Sequence, residues 1–436
     1  MGRDESPNVL LVVLDSVRAK NCSLYGAARP TTPFLESLAA ESITYTQARA
    51  PSNWSLPSHV SIFTGFEAHE HRLTVHDRLR PGNTVFESLA EAGYETGLFT
   101  ENGFLNGRSS GIQECFETVT GVPDEYDETY DTASLNPGPD GFYYADQLLD
   151  WTAEQDGEWA ACLNVMDSHR PFEPREEYDM WGDEQARQLQ ADLDVRWEWQ
   201  FYGDTHPYWR LAGLESLYDG GIRQADAVAK RTIETLRQRG ELDDTLVVVC
   251  GDHGDGFGEP GRLPDEPNAV SHIIPMHEEL LHVPLLVRPP GGTAGEMCHE
   301  PAALTQFPAV VEAYVDGDPS GAAFATERVV SSKQPVTADL RDRFEDACGD
   351  VTPFTAASHA VYTNEEGRAV RKRYHWGDEG LEASISGAGD FRLLREIDPT
   401  AVTGAFDAPE AGVREPMGGR QATEQAKEQL AALGYY

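Results

Sequence analysis

Two uninterrupted apolar runs, each leading into an aspartate, constrain the fold of this chain most strongly. Val9–Leu14 (VLLVVL) is followed directly by Asp15, and Thr245–Cys250 (TLVVVC) is followed, after one glycine, by Asp252. Apolar runs without alternating polar residues are typical of strands buried on both faces of a parallel sheet. Because ligands of open α/β sheets bind at the carboxyl ends of the strands, the two aspartates are expected to converge at one edge of the sheet.

Helix and strand patterns alternate around these two runs. Amphipathic helices are predicted at Thr32–Glu41, Thr84–Ala92 and Leu214–Arg239, and further strands at Glu95–Thr100, Trp159–Val165 and Val283–Val287. The segment 107–139 is polar and is expected to be a surface excursion. This order predicts an α/β fold in which one large, mainly parallel sheet is flanked by helices on both faces.

Beyond about residue 321, short strand-like segments alternate with turns that are rich in Gly and acidic residues. This change predicts a catalytic domain at 1–320 and a small C-terminal α+β subdomain packed on it at 321–436. A charged, Trp-rich stretch at 175–210 is interpreted as an inserted helical cap. The subdomain is expected to contain antiparallel strands at Ala360–Thr363 and Val370–Trp376 and a closing helix at Gln421–Leu433.

The chain is strongly acidic, since 74 Asp and Glu against 34 Lys and Arg give 436 residues a formal net charge of −40. The charge is spread along the chain, which we interpret as a surface adapted to high salt, where a Debye length of roughly 3 Å screens the repulsion. It argues against nucleic acid and anionic membranes as partners.

With no apolar stretch near the roughly 18 residues of a membrane span, the expected location is the cytoplasm. The six scattered cysteines are expected to be buried thiols.

Two motifs could carry chemistry at the predicted sheet edge. Asp15, Asp252 and His253 offer two carboxylates and an imidazole, a reasonable shell for a divalent metal, although a hydrogen-bonded core pair would give the same pattern. Ser55 precedes a helical run, where an anionic group is stabilised by backbone N–H groups and the helix dipole. The alternative for Ser55 is an ordinary helix cap.

The order of these motifs resembles the sulfatase branch of the alkaline phosphatase superfamily. The segments that carry the resemblance are Asp15 after its strand, Leu24–Gly26, Thr32–Pro33, Asn53–Gly65, Tyr218–Asp226, Asp252–Gly254 and Glu278–Pro289. The ending Ala432–Tyr435 is similar to that of prokaryotic members, and the acidity indicates a haloarchaeal type. The resemblance implies an alkaline-phosphatase-like sandwich and covers essentially the whole chain.

The resemblance also implies roles for individual residues. The set that would hold one divalent metal consists of Asp15, Asp252, His253 and Ser55. Ser55 would also be the nucleophile. His169, which lies in a DSHRP segment, would donate hydrogen bonds to the ester and protonate the leaving group. His272 is a second candidate for the catalytic and substrate-binding set, and an ordinary surface histidine is the alternative for both.

Three departures from the family pattern bear on whether the substrate is a phosphate ester or a sulfate ester. Formylglycine sulfatases carry Arg where this chain has His59, and they tend to have a second aspartate where it has Ser16. Their sulfate-gripping lysines have no match, because Asn102 and the region of His272 offer none. We therefore expect Ser55 to act as plain serine, on phosphate more than on sulfate, with His59 and Asn102 at substrate-binding positions.

The sequence also allows an expectation for the metal and three hypotheses for the reaction. A histidine ligand favours Mn²⁺ or Zn²⁺, with Mg²⁺ and Ca²⁺ as alternatives. The first hypothesis is a hydrolase of small-molecule or glycan esters that forms a covalent ester on Ser55. The second is a transferase that moves a phospho or sulfo group to a glycan or lipid head group, and the third is a protein that only binds an anionic glycan. The intact nucleophile argues against the third.

Overall fold

The computed structural model of the protein describes residues 6–417 except 108–109, 130–137, 195, 273, 275, 334, 337, 366–367 and 388. Its strands are β1 (Asn8–Leu14), β2 (Ile43–Tyr45), β3 (Ala48–Arg49), β4 (Asp77–Leu79), β5 (Glu95–Thr100), β6 (Thr118–Thr120), β7 (Trp159–Val165), β8 (Thr245–Gly251), β9 (Leu285–Arg288), β10 (Glu296–Cys298), β11 (Ala302–Ala303), β12 (Arg328–Ser332), β13 (Ser358–Glu365), β14 (Ala369–Trp376), β15 (Glu379–Ile385), β16 (Phe391–Ile397) and β17 (Arg414–Pro416). Its α-helices are α1 (Pro33–Leu38), α2 (Ser55–Thr64), α3 (Ala68–His71), α4 (Val85–Glu91), α5 (Gly103–Asn106), α6 (Gly141–Thr152), α7 (Glu184–Asp192), α8 (Glu198–Tyr202), α9 (Leu211–Arg239), α10 (Glu278–Leu281), α11 (Phe307–Val315), α12 (Ala338–Cys348), α13 (Thr352–Thr355) and α14 (Thr400–Thr403).

The main sheet of the described chain has eight strands in the order β10-β2-β9-β8-β1-β7-β5-β6. The central pairs β8–β1, β1–β7 and β7–β5 are parallel, which confirms the prediction from the apolar runs. β9 is antiparallel to both of its neighbours. It also begins at Leu285 rather than at the predicted Val283, because Pro284 has no N–H to donate to a ladder. The sheet is therefore mixed and mostly parallel.

β1 shows why an uninterrupted apolar run is needed at the centre of this sheet. Leu10 and Leu14 pack in a core that includes residues of α6 and α9. Val9 and Val13 pack on the opposite face, in a core that includes residues of α2, α4 and α11. Because successive side chains of a strand point to opposite faces, a strand between two helical layers has to be apolar at every position.

The segment 107–139 differs from its prediction as a surface excursion. Its residues Thr118–Thr120 form β6, which pairs in parallel with Gly97–Phe99 of β5 at the edge of the main sheet. A three-residue Thr-Val-Thr strand is too short to show a periodic pattern. The backbone hydrogen bonds to β5 decide its conformation, and they leave no trace in the local sequence.

The antiparallel sheet β12-β13-β14-β15-β16 lies within the predicted C-terminal segment. Beyond it, β17 returns to the first part of the chain and pairs with β4. Within 175–210 the chain forms α7 and α8, while the inserted cap and the boundary between 1–320 and 321–436 stay predictions. The expected helix Gln421–Leu433 lies outside the described residues.

Two expectations from composition can be compared with the structure. All six cysteines are free, but only four are buried, and Cys298 and Cys348 are half-buried. None of the helices in the described ranges combines the length and the apolar character that crossing a bilayer requires.

A buried ionic cluster joins the C-terminal sheet to the main body. The Glu278 carboxylate pairs with Arg49 at 2.6 Å and with Lys372 of β14 at 3.1 Å, and it accepts a hydrogen bond from the Tyr362 hydroxyl at 3.0 Å. Burial raises the pKa of Glu278, but the two cations more than offset this effect and lower the pKa to about 2. The carboxylate is therefore ionised wherever the protein is folded at ordinary pH.

Glu278→Gln is expected to lower the free energy of unfolding at neutral pH by about 3–5 kcal/mol, because it leaves two buried cations without their counter-charge. Because the pKa of Glu278 is lower in the folded protein than in the unfolded chain, its stabilising effect is fully present above the ordinary Glu pKa. The effect is lost as the pH falls towards the pKa of Glu278 in the folded protein. The difference between wild type and variant in urea midpoint should therefore shrink between about pH 5 and pH 3. Glu410→Gln, which removes the exposed partner of Arg414, is the matched control and should leave the midpoint nearly unchanged. A variant as stable as wild type would contradict the assignment.

Candidate active site

The ends of two adjacent strands bring the predicted metal ligands together. Leu14 of β1 and Gly251 of β8 are partners in the parallel ladder, so the residues that follow them leave the sheet at the same edge. Ligand atoms of Asp15, Asp252 and His253 lie within 4.8 Å of one another, and all three residues are buried. The strand-end argument from the sequence thus predicts their proximity correctly.

The orientation of Asp252 and His253 suits a cation. Asp252 Oδ1 accepts the backbone N–H groups of Ser16 at 3.0 Å and His253 at 2.9 Å, whereas its Oδ2 is buried and has no hydrogen-bond partner among the described residues. His253 Nδ1 donates to Gly254 O at 2.8 Å, which leaves the lone pair of Nε2 3.3 Å from that free oxygen. A Cβ on Gly254 would lie 2.1 Å from Glu279 O, so this turn requires glycine.

Asp15 is held by two amide groups. Its Oδ2 accepts Asn102 Nδ2 at 2.9 Å and Asn164 Nδ2 at 3.2 Å, and its Oδ1 accepts the Ser16 hydroxyl at 3.0 Å. The structure thus places Asn102, a predicted substrate-binding residue, directly on Asp15. Asn164 is missing from the sequence prediction, although a polar residue inside the apolar strand β7 is a signal that could have found it.

Two buried carboxylates at this separation cannot easily both carry a charge. Burial and the neighbouring charge of Asp15 raise the pKa of Asp252 well above its usual range. Burial raises the pKa of Asp15 too, but the imidazoles of His169 and His253 outweigh it and lower that pKa. A cation between the two carboxylates would allow both to ionise, so the residues present fit a divalent metal.

Ser55 faces this cluster instead of capping its helix. It is the first residue of α2, and the side chain of the N-cap residue, Trp54, makes no cap hydrogen bond. Its Oγ lies 3.2 Å from His253 Nε2. The positive end of the α2 dipole therefore points to the same place as the carboxylates, and a partial negative charge on the Ser55 oxygen would be stabilised there.

Three further histidines surround Ser55 and His253. His59 is fully buried, donates from Nδ1 to Ser55 O at 2.9 Å, and has the same nitrogen 3.6 Å from Asp252 Oδ2. The His272 ring lies 4.6 Å from that of His253 and 5.4 Å from that of His169, measured between centroids. Burial lowers the pKa of His169 to about 4 and lowers that of His272 as well.

Two residues absent from the sequence prediction adjoin these histidines. Asp255 Oδ1 lies 3.6 Å from His272 Nδ1, and its Oδ2 is buried without a hydrogen-bond partner in the described part of the chain. Arg170, next to His169, is buried, pairs with Glu198 of α8 and stacks on Trp197 at 5.3 Å. The segment 175–210 therefore fixes the chain beside His169. The second aspartate of the GDHGDG motif is the signal that could have found Asp255.

Known proteins resemble this chain in sequence and in fold. A model of the sulfatase family matches residues 7–314. The N-acetylgalactosamine-6-O-sulfatase of Bacteroides thetaiotaomicron is 27% identical over 305 residues, which are 57% of this chain and 59% of that protein. The first three curated relatives are matched over 52% to 63% of their own length.

Two solved structures share the fold over most of the chain. The phosphonate monoester hydrolase of Silicibacter pomeroyi has a TM-score of 0.61 and 18% identity, over 89% of this chain and 90% of that one. A protein in the alkaline phosphatase superfamily from Vibrio parahaemolyticus has a TM-score of 0.56 and 14% identity, over 100% of this chain and 88% of that one. They support the alkaline-phosphatase-like architecture expected from the sequence.

Asp252→Asn is expected to weaken Mn²⁺ binding by more than about 100-fold, because it removes a charged ligand atom. Asn102→Ala should weaken it by about 10–100-fold, the usual effect of losing a residue that orients a metal ligand. Isothermal titration with Mn²⁺ and Zn²⁺ measures both. Asp226→Asn, a buried aspartate that bonds the start of α1, is the matched control and should bind metal like wild type. Unchanged affinity in Asp252→Asn would rule out this site.

Proposed function

This chain belongs to the sulfatase family, and we propose from that premise that it is a metal-dependent hydrolase of phosphate or sulfate esters with Ser55 as nucleophile. The observation that carries the proposal is the contact of Ser55 Oγ with His253 Nε2 at 3.2 Å, inside the cluster of Asp15, Asp252 and His253. A nucleophile that lies beside a set of metal-ligand residues and at a helix N-terminus is the arrangement that group transfer to a hydroxyl requires.

Asp15, Asp252 and His253 would hold the divalent metal, with Ser55 beside it. When bound, the metal would lower the pKa of the Ser55 hydroxyl and neutralise charge on the ester oxygens. Mn²⁺ or Zn²⁺ suits an imidazole ligand better than Ca²⁺, which prefers shells made only of oxygen. Ser16 supports the choice, because it supplies hydrogen bonds where a further carboxylate would favour Ca²⁺.

The reaction proceeds in two displacements. Ser55 first loses its hydroxyl proton to solvent. Its Oγ then attacks phosphorus or sulfur in line, the bond to the leaving oxygen breaks, and that oxygen takes a proton from His169 or His272. Water then attacks the Ser55 ester, gives a proton to the same histidine, and releases the acid with restoration of the serine. The negative charge of an incoming ester counteracts the burial that lowers the pKa of both histidines, so it favours their protonated form.

The charges around Ser55 favour a singly charged ester. Asp15, Asp252 and Asp255 are buried there, and the nearby Arg170 is already paired with Glu198. A phosphate monoester would bring two negative charges into this setting, whereas a phosphodiester or a sulfate ester brings one. The arginine position of formylglycine sulfatases holds a histidine here, which supports an unmodified serine. We therefore infer a phosphodiester as the preferred substrate.

Turnover of bis(nitrophenyl) phosphate by the Mn²⁺ enzyme in high salt should exceed turnover of nitrophenyl phosphate and nitrophenyl sulfate. Ser55→Ala should lose at least about 10³-fold in kcat, as expected when a nucleophile is removed. Ser58→Ala is the matched control, because Ser58 is buried in the same helix and its hydroxyl donates to Ser52 O at 3.3 Å, away from the metal ligands. Mass spectrometry of the Ser55 peptide should show unmodified serine. An aldehyde at position 55, with sulfate as the preferred ester, would overturn the proposal.

His169→Gln and His272→Gln separate the leaving-group acid from a substrate-binding histidine. Loss of the acid should lower kcat on an alkyl phosphodiester by about 10²–10⁴-fold, because alkoxide is a poor leaving group. The same variant should lose far less on a nitrophenyl diester, since nitrophenolate leaves without protonation. Equal losses on both esters would assign that histidine to binding. Equal losses in both variants would exclude a histidine acid.

A further inference from the structure

A cavity of about 730 Å³ lies where α3 and the ends of β12 and β17 meet the C-terminal sheet. Its described lining contains four Lys or Arg and two His against one carboxylate, Asp407. In a chain with 74 acidic and 34 basic residues, this is the reverse of the general charge balance. Ser55 and the three residues of the metal cluster are not among those that line it, so the cavity is separate from the site already described.

Lys333 is the basic residue that the protein places deepest in this wall. The residue is 9% exposed, and Nζ donates to Phe354 O at 2.6 Å and Ala356 O at 3.2 Å while lying 4.7 Å from the centre of the Trp376 ring. An ammonium group has three N–H donors, so one remains. No carboxylate of the described chain pairs with it, and burial lowers its pKa to about 7. A buried cation without a counter-ion is costly, and an anion in the cavity would supply one.

Two further donors in this wall lack a carboxylate partner. His69 Nδ1 is buried and has no hydrogen-bond partner among the residues described. Arg341 of α12 is exposed, and no ion pair involves it in the part of the chain that the structure covers. The Phe406 ring packs edge-on against His69 at 4.8 Å between centroids and gives the cavity an apolar side. The wall thus combines unused donors with a surface for a ring or an aliphatic body.

We propose that this cavity is a second binding site, for an oxyanion group such as phosphate, sulfate or carboxylate. Lys333 would donate from the floor, and Arg341 and Arg72 from the rim. The volume exceeds what a free tetrahedral ion fills, and Phe406 offers contact for a larger body, so the oxyanion either arrives alone or belongs to an organic molecule. Nothing in this inference depends on the proposed hydrolysis at Ser55.

The wall of this cavity is fastened to the segment that leads to Ser55. Ser332, which precedes Lys333, donates its N–H to Pro51 O at 3.0 Å, and its carbonyl accepts the Ser52 hydroxyl at 2.9 Å. These hydrogen bonds connect the wall of the cavity to the segment before Ser55, while each of the two sites has its own donors. Binding at one can be measured apart from binding at the other if each is read by its own signal.

The test titrates the manganese-loaded full chain with inorganic phosphate and with phenylphosphonate, whose carbon–phosphorus bond resists hydrolysis, at constant KCl. Calorimetry should show two classes of site in wild type, one of which inhibits turnover. Arg341→Gln changes an exposed residue and should weaken anion binding at the sites that do not inhibit turnover by about ten-fold. This is the effect of losing one charge-assisted hydrogen bond. Lys333→Met should abolish that class. Arg392→Gln on β16 is the matched exposed control and should leave both unchanged.

The inhibition constants of phosphate and phenylphosphonate against turnover should be the same in wild type, Arg341→Gln and Lys333→Met. Tighter binding of phenylphosphonate than of phosphate at the second class would identify an organic ligand, and equal binding would identify the free ion. The absence from wild type of any class of site that Arg341→Gln weakens would overturn the proposal, whether or not the Ser55 site also binds the anion. Because Arg341 is exposed, this outcome remains readable even if Lys333→Met fails to fold.

Discussion

The close approach of two buried carboxylates at the ends of neighbouring parallel strands governs the arrangement around them. Asp15 and Asp252 leave the sheet together because β1 and β8 are in register, and like charges repel strongly once water is excluded. The surroundings counter this repulsion with backbone N–H groups, with the amides of Asn102 and Asn164, and with the imidazole of His253. The two-sided core around β1 keeps the strands from separating. The register of the two strands therefore concentrates negative charge at one point, where a cation would neutralise it.

The sequence was most informative where chemistry follows directly from strand geometry. Asp15 and Asp252 could be predicted because each apolar run ends visibly and parallel strands share an edge. Asn164 and Asp255 could not be predicted in the same way. The contact of Asn164 with Asp15 depends on the register of β1 against β7, and the position of Asp255 depends on the path of a glycine-rich loop. The direction of β9 and the pairing of β6 are likewise decided by long-range contacts.

Two positions that depart from the formylglycine pattern serve as supports in this chain. Ser16 adopts a left-handed φ of 61° and bonds Asp15, Asp252 and the Tyr218 hydroxyl at once. Such a backbone conformation is uncommon outside glycine and persists where surrounding bonds determine it. His59 occupies a fully buried place behind the first turn of α2, which it bonds through a carbonyl. Both replacements give hydrogen bonds to the framework where the family pattern has charged groups.

The pairing of β17 with β4 has a consequence for the order in which the chain can fold. Arg414 contacts Asp77 across 337 positions of sequence, and the whole antiparallel sheet is synthesised between them. At translation rates of roughly 5–20 residues per second, β4 waits on the order of 15–70 s for its partner strand. During that interval its edge is open to chaperones or to other nascent chains. Completion of this two-stranded sheet is therefore a late event in biosynthesis, although β4 emerges early from the ribosome.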